Sequence, residues 1–386
     1  MKTNIGIDIR TLMDKQYSGV PEHTLNLIDN ILKTEEKEKK GNKYKLFYNS
    51  AKDVEERIPR FKSSEVEISK LNYPNKIFNY LLQKTLKYPK IDKILDVNVF
   101  LMPHINFAAL SPDCRSVLTV HDISFLRYPE FFSARKNFWH YMINVKKMIN
   151  SFDKLVSVSN NTKHDIIDIC GVKEDKVEVV YPGLDKGLYR RLDAKTCEPI
   201  KKKYQLKNKF ILYIGTLEPR KNIEGLIESF NIFCKKRERA DCDLVIAGGK
   251  GWKSEKIIKK WKSSEYKGRI KFLGYIPRQD KPLLYNAASV FAYPSFYEGF
   301  GFPPLEAMAC GTPVLTSFSS SLAEVAGESA FLVDPYNSNK IACYLDILMK
   351  DENLRQKLRL EGSETVKKYN WEDTAQNYIE LMENLA

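Results

Sequence analysis

The sequence predicts two successive doubly wound α/β units, each a parallel sheet covered by helices. Three observations carry this. Short apolar runs alternate with helical patterns along the whole chain. The alternation stops and restarts near the middle. At 386 residues, the chain is also too long for one ordinary core. Hydrophobic residues make up 43% and charged residues 29%, a globular composition with enough apolar material for two cores and no mark of disorder.

The first series of runs is Asn4–Ile9, Tyr44–Tyr48, Val97–Met102, Ser116–Val120, Leu155–Val158 and Val177–Val180. Each is short and rich in Val, Ile, Leu and Phe, as strands buried on both faces of a parallel sheet are. The stretches between them are long enough for crossover helices. The second series is Phe210–Ile214, Asp243–Ala247, Ile270–Leu273, Val290–Tyr293, Pro313–Thr316 and Phe331–Val333. Between its first two strands, Asn222–Lys235 places Ile223, Leu226, Ile227, Phe230 and Phe233 at helical spacing. Tyr181–Asp185 is a turn-rich exit from the first series, and Lys186–Asn208 reads as linker plus a short helix. The expected division is 1–195, 196–368 and a closing segment 369–386. Its helix, Trp371–Leu385, carries apolar positions at Trp371, Ala375, Tyr378, Ile379 and Met382.

The formal net charge of +13 points to an anionic partner: nucleic acid, an acidic membrane surface or a phosphorylated ligand. Dispersed charges and the lack of any recognition motif argue against nucleic acid. Seven scattered cysteines, with no CxxC pair, indicate neither a zinc site nor a disulfide framework, and the expectation is reduced, buried thiols in a cytoplasmic protein. The opening MKTNIGIDIRTL is a strand pattern rather than a signal peptide, and no apolar run reaches the roughly 18 residues of a membrane span.

The richest stretch is Tyr293–Leu315. Gly299 and Gly301 make a tight loop after a strand, Pro303 and Pro304 suit the first turn of a helix, and Leu305, Met308 and Ala309 give that helix an apolar side. Backbone N–H groups at such a helix start favour an anion. A glycine loop alone is weak evidence, because many α/β folds carry one. Glu298 and Glu306, with seven residues between them, raise the specificity. Two carboxylates beside a phosphate site make sense as acceptors from sugar hydroxyls. Gly215–Asn222 follows the first strand of the same half and offers two cations, Arg220 for bidentate grip of phosphate and Lys221 as a point charge.

GTLEPRKN, EGFGFPPLEAMACGTPV and SLAEVAGESAFLVDP together resemble the retaining glycosyltransferase family 4, through nearly the whole chain. The resemblance implies the GT-B fold: two Rossmann-like domains facing a cleft, the N-terminal one binding acceptor and the C-terminal one the nucleotide-sugar donor, with the last helix crossing back to the N-terminal domain. It implies that Glu298 contacts donor-sugar hydroxyls, Glu306 the ribose, and Arg220 and Lys221 the diphosphate. Gly299, Phe300, Gly301 and Phe302 would lie against sugar and phosphates with Leu305 behind them, and Gly274, Tyr275 and Ile276 would frame the base. Many members have Arg directly after the glycine of the first donor-domain strand, where this chain has Thr216. His121-Asp122, at the end of a strand, resembles the family pair whose histidine positions the donor sugar. Gly19 stands in a loop that reaches the diphosphate in relatives, but Pro21, Glu22 and His23 replace the glycine, arginine and tyrosine common there. Ser159 fits a helix N-cap.

No side chain is an obvious nucleophile, so the expected mechanism is a metal-independent front-face displacement with His121, Glu298, Arg220 and Lys221 as the working residues, no cofactor and no metal ligands. The expected donor is GDP-mannose, with a UDP-hexose as the alternative. The expected acceptor is a saccharide or lipid-linked saccharide of polysaccharide, O-antigen or cell-envelope glycan synthesis. Lys76–Lys93 mixes basic and apolar residues, either as a core helix with a solvated lysine face or as a peripheral contact with the inner face of an anionic membrane. A non-enzymatic anion- or nucleic-acid-binding protein is the reading from another class.

Overall fold

The computed structural model describes the chain except for residues 1, 15–18, 62, 64, 75–77, 79–87 and 237–241. Most of the 76–93 stretch, with its membrane expectation, therefore lies outside the described residues, as does Ser18.

The chain forms two compact units. The first comprises Met1–Ile123, Phe138–Gly183 and Asn370–Ala386; the second comprises Ser124–Asn137 and Leu184–Tyr369. In the first unit, seven parallel strands are ordered β3-β2-β1-β4-β5-β6-β7: β1 Asn4–Asp8, β2 Lys43–Asn49, β3 Val66–Leu71, β4 Val99–Met102, β5 Arg115–Val120, β6 Lys154–Ser157 and β7 Val177–Val179. The polar edge strand β3 is not anticipated by the sequence reading, because VEISKL has no fully buried residue and lacks the continuous apolar run of a central strand. β4 starts at Val99 rather than Val97, since Asp96 at φ of 51° and the Val97 N–H, which donates to the Asp92 carbonyl at 3.1 Å, still close the preceding helix.

Trp371, Ala375, Tyr378, Ile379 and Met382 of the helix Trp371–Glu383 join Ile28, Ile31 and Tyr44 in the core of the first unit. The Tyr378 hydroxyl lies 2.8 Å from Thr119 Oγ1 in β5. The last helix thus packs on the N-terminal sheet unit. Each of its fully buried large side chains contributes about 1.5–3 kcal/mol.

In the second unit, six parallel strands are ordered β10-β9-β8-β11-β12-β13: β8 Phe210–Ile214, β9 Asp243–Ala247, β10 Ile270–Gly274, β11 Val290–Tyr293, β12 Val314–Ser317 and β13 Ala330–Val333. Helix Ile223–Lys236 buries Ile223, Leu226, Ile227, Phe230 and Phe233, the face expected from their spacing. Within the former linker stretch, Ala194–Lys203 is helical, with Asp193 accepting from the Thr196 N–H at 2.9 Å as its N-cap.

Strand order reverses between β1 and β4 in one sheet and between β8 and β11 in the other. Crevices for ligands open at the carboxyl ends of such strand pairs. Six cysteines are buried as expected, but Cys343 is exposed, on the outer face of helix Ser338–Lys350. Among the described residues, no helix is long and apolar enough to cross a membrane.

Candidate functional site

The β8 end leads into Gly215-Thr216-Leu217-Glu218, a short 3-10 turn Pro219–Lys221, and Asn222 at φ of 55°. Asn222 fixes this turn from below: its Nδ2 donates to the Pro294 carbonyl at 3.0 Å and to the Pro335 carbonyl at 2.6 Å. The β11 end leads into Pro294–Gly301 and then the helix Phe302–Ala309, with prolines in its first turn. Gly301 has φ of 118°, a conformation that a side chain would strain, and an added Cβ there would lie 2.9 Å from Leu322. Serines sew this loop down. Ser321 Oγ lies within hydrogen-bond distance of the carbonyls of Glu298 and Phe300, at 2.8 and 2.7 Å, and Ser320 Oγ accepts from the Glu298 N–H at 2.9 Å.

The two loops meet in a buried charge cluster. Arg220 donates to Glu298 Oε2 at 2.9 Å, to Glu218 Oε1 at 2.9 Å and to the Tyr297 carbonyl at 2.5 Å. Lys221 Nζ donates to Glu298 Oε1 at 2.6 Å and to the Tyr293 hydroxyl at 2.7 Å. Ser295 Oγ is the third donor to this carboxylate, reaching Oε1 at 2.7 Å. Burial alone would push the Glu298 carboxyl up, but Arg220, Lys221 and Ser295 outweigh it and hold the group at about 2. Burial, reinforced by Arg220, lowers the pKa of Lys221, while Glu298 and Glu218 oppose that shift.

Glu306, on the helix that follows the glycine loop, is also buried, and it accepts from the Tyr285 hydroxyl at 2.8 Å. The loops after β8, β9 and β10 are joined through backbone: Gly215 N–H to the Ala247 carbonyl at 2.9 Å, Gly248 N–H to the Gly274 carbonyl at 2.7 Å, and Leu217 N–H to the Gly249 carbonyl at 3.0 Å. Thr216 sits beside Gly251, Ile276 is buried and Tyr275 is half exposed. The Gly248–Gly251 loop escaped the sequence reading, although AGGKG directly after a strand was a visible signal.

Residues 124–137 also belong to the second unit. Phe131 stacks on Phe296 with centroids 5.5 Å apart, Tyr128 packs against Tyr297, and Trp252 Nε1 donates to the Phe131 carbonyl at 2.7 Å.

The structure thus brings Arg220, Lys221 and Glu298 into direct contact, with Gly299–Phe302, Leu305 and Glu306 continuing from the same loop. His121 and Gly19 lie in the other unit. There the switch point between β1 and β4 holds a cluster that the sequence reading caught only in part. Asp8 and Arg10, from the end of β1, form a buried pair with Nε at 3.0 Å from both carboxylate oxygens, and Arg10 Nη2 also donates to the Phe107 carbonyl at 2.6 Å. His121 Nε2 lies 2.8 Å from the Pro103 carbonyl, which assigns the proton to Nε2 and leaves Nδ1 as an acceptor. His23 meets His121 edge-on at 4.6 Å and Trp371 at 5.4 Å. Burial keeps all three histidines of this cluster neutral, lowering His121, lowering His104 to about 4 and lowering His23 well below its ordinary value. IDIR at the end of β1 and MPH after β4 were the available signals for Arg10 and His104.

Two Rossmann-like parallel-sheet units, one with a glycine loop opening a helix beside buried cations and carboxylates, define a GT-B glycosyltransferase. Residues 32–187 match the description Glycosyltransferase Family 4, and residues 197–365 match Glycosyl transferases group 1. The O-antigen chain mannosyltransferase B of Escherichia coli is 34% identical over 261 residues, 67% of this chain and 68% of that protein. The chain belongs to glycosyltransferase family 4 and is mannosyltransferase-like. Its fold is shared with a sucrose-phosphate synthase from Thermosynechococcus elongatus, at a TM-score of 0.76, 18% identity and coverage of 100% of this chain and 99% of the other. It is shared also with the Anabaena protein HepE, solved with UDP and glucose, at 0.71, 18% identity, 99% and 100%.

Proposed function

We propose that this glycosyltransferase of glycan synthesis transfers mannose from GDP-mannose, with retention of anomeric configuration, to a saccharide or lipid-linked saccharide acceptor. The observation that carries the reading is the contact of Arg220 and Lys221 with Glu298 at the carboxyl ends of β8 and β11. This is where a parallel sheet binds nucleotides, and the cluster pairs phosphate-binding cations with a carboxylate that stays ionised to accept from sugar hydroxyls. The choice of mannose follows the relative named an O-antigen chain mannosyltransferase. A UDP-hexose is the alternative donor, favoured by the UDP held in HepE.

In this reading Glu298 holds the donor sugar and Glu306 the ribose. Gly274, Tyr275 and Ile276 frame the base, while Gly19, Thr216 and the amides of Gly299–Phe302 serve the diphosphate, with Leu305 packed behind the loop. His121 positions the sugar. The bond between the anomeric carbon and the diphosphate breaks as the acceptor oxygen bonds to the same face. The leaving diphosphate takes the acceptor proton while Arg220, Lys221 and the loop amides absorb the growing charge. The first unit would serve the acceptor. The reaction needs no metal, and the enzyme works in the cytoplasm, peripherally at the inner membrane face.

Calorimetric titration with GDP, UDP and ADP in EDTA tests this. Preference for GDP supports the reading, preference for UDP selects the alternative, and no binding by any of the three refutes a working donor site. Anomeric analysis of the product by NMR tests retention.

A further inference from the structure

The charges of the cluster cancel. Arg220 and Lys221 are matched by Glu218 and Glu298, and all four side chains are at most 11% exposed. A nucleoside diphosphate arriving there would meet donors but no net positive charge from these four groups. A further cation lies within the electrostatic reach of Glu218 and Arg220. Lys136, exposed in the first helical turn of Ala134–Ile143, rests its Nζ over the Trp252 ring, 3.3 Å from the centroid. Trp252 follows Gly251, whose N–H donates to the Leu217 carbonyl in the cation loop at 3.1 Å. The Lys136 segment is anchored again through Phe131 on Phe296 and Tyr128 on Tyr297. These are the residues whose backbones grip Arg220: Phe296 N–H donates to the Arg220 carbonyl at 2.9 Å, and the Tyr297 carbonyl accepts from its guanidinium. Among the described residues, no carboxylate pairs with Lys136.

The first turn of a helix with no acidic residue is an unfavourable place for a lysine on its own account, because the exposed N–H groups there repel a cation. The same groups reinforce Lys136 in attracting an anion. We propose that Lys136 is the third cation of the donor site, held ready on the Trp252 face and supplying the net positive charge that a nucleoside diphosphate requires. Partial burial lowers its pKa, with Glu218 opposing and Arg220 adding to the effect, so both residues of the cation loop act on it. The inference rests on the donor reading above and adds to it a residue from the first half of the sequence.

The test is calorimetric titration of GDP and of guanosine into the wild type, Lys136→Met and Lys136→Arg, with thermal unfolding of each. Methionine keeps the apolar stem on Trp252 and removes the charge. GDP affinity is expected to fall about tenfold or more in Lys136→Met and to stay near wild type in Lys136→Arg, with guanosine unaffected. Lys136→Gln gives the same loss should the methionine variant melt early. Unchanged GDP affinity in the folded Lys136→Met or Lys136→Gln protein overturns the inference and leaves the donor reading standing, as does an equal loss for guanosine. A wild type that binds neither GDP, UDP nor ADP overturns the donor reading, and this inference with it.

Discussion

Lys221 Nζ and Glu298 Oε1 meet at 2.6 Å although they stand 77 positions apart in the sequence, and Arg220 takes the other oxygen of the same carboxylate at 2.9 Å. The pairing orients both sides: a carboxylate held by two cations and a serine cannot rotate, and the cations keep fixed positions at the mouth of the β8 loop. Buried ion pairs of this kind cost desolvation and are weak stabilisers, but losing one partner exposes the other as an uncompensated charge.

Glu298→Ala is therefore expected to lower stability by about 3–5 kcal/mol, since Arg220 and Lys221 are left buried without their shared acceptor. Glu298→Gln keeps the shape and should cost less. In both variants turnover falls more than nucleotide affinity, by about a hundredfold or more. Steady-state kinetics beside nucleotide titration checks this. Equal losses in turnover and in nucleotide Kd would move Glu298 from sugar to nucleotide.

Glu306 has a different neighbourhood. Its buried partner is the Tyr285 hydroxyl at 2.8 Å, so Glu306→Ala leaves that hydroxyl unpaired as well as removing an acceptor. Nucleotide affinity is expected to drop about tenfold, with turnover at saturation closer to wild type. Tyr285→Phe leaves the carboxylate in place but looser, so its effect on affinity should be the smaller one. A Glu306→Ala enzyme with unchanged nucleotide Kd would remove the ribose assignment.

Most of this architecture was legible in the sequence, for physical reasons. Central parallel strands are buried on both faces, so β8, β9 and β11 announced themselves as uninterrupted apolar runs with the bounds they have. β3 did not, because an edge strand with no fully buried residue has no such run. Arg220, Lys221, Glu298 and Glu306 were legible as unusual residues at strand ends. The Tyr293 partner of Lys221 was not, because a hydrogen bond from the β8 loop to the end of β11 leaves no local pattern. The same holds for the approach of His104 to the Asp8–Arg10 pair, which the β1–β4 adjacency brings about. Residues 124–137 follow a strand of the first sheet, yet their Phe and Tyr side chains find partners in the second unit, and sequence order could not reveal that.

The acid limb of stability should carry the signature of Glu298. Its folded pKa of about 2 lies below the ordinary 4.5, so the ionised form is the one that folding favours. The contribution is complete above about pH 4.5 and is lost as pH falls through the folded value near 2. The shift corresponds to about 3 kcal/mol. Denaturant unfolding at pH 5 and at pH 3 reads this window. Glu298→Gln should flatten the difference between the two pH values, and an identical pH slope in that variant would show that other carboxylates dominate.

The last prediction concerns the glycine loop after β9. Gly248 has φ of 147°, and a Cβ added there would lie 1.9 Å from the Gly215 carbonyl oxygen, a backbone atom that cannot swing aside. Gly215 opens the loop that carries Arg220 and Lys221, so relief of the clash must displace the cation turn. Gly249, one residue on, has nothing within 4 Å of the same added atom. Gly248→Ala is accordingly expected to lose about 2 kcal/mol or more of stability and to weaken nucleotide binding, whereas Gly249→Ala stays within about 0.5 kcal/mol of wild type. Paired melts and titrations separate the two. If Gly248→Ala melts early yet binds nucleotide normally, the β8 loop is set by its own contacts, chiefly those of Asn222, and not by its approach to β9.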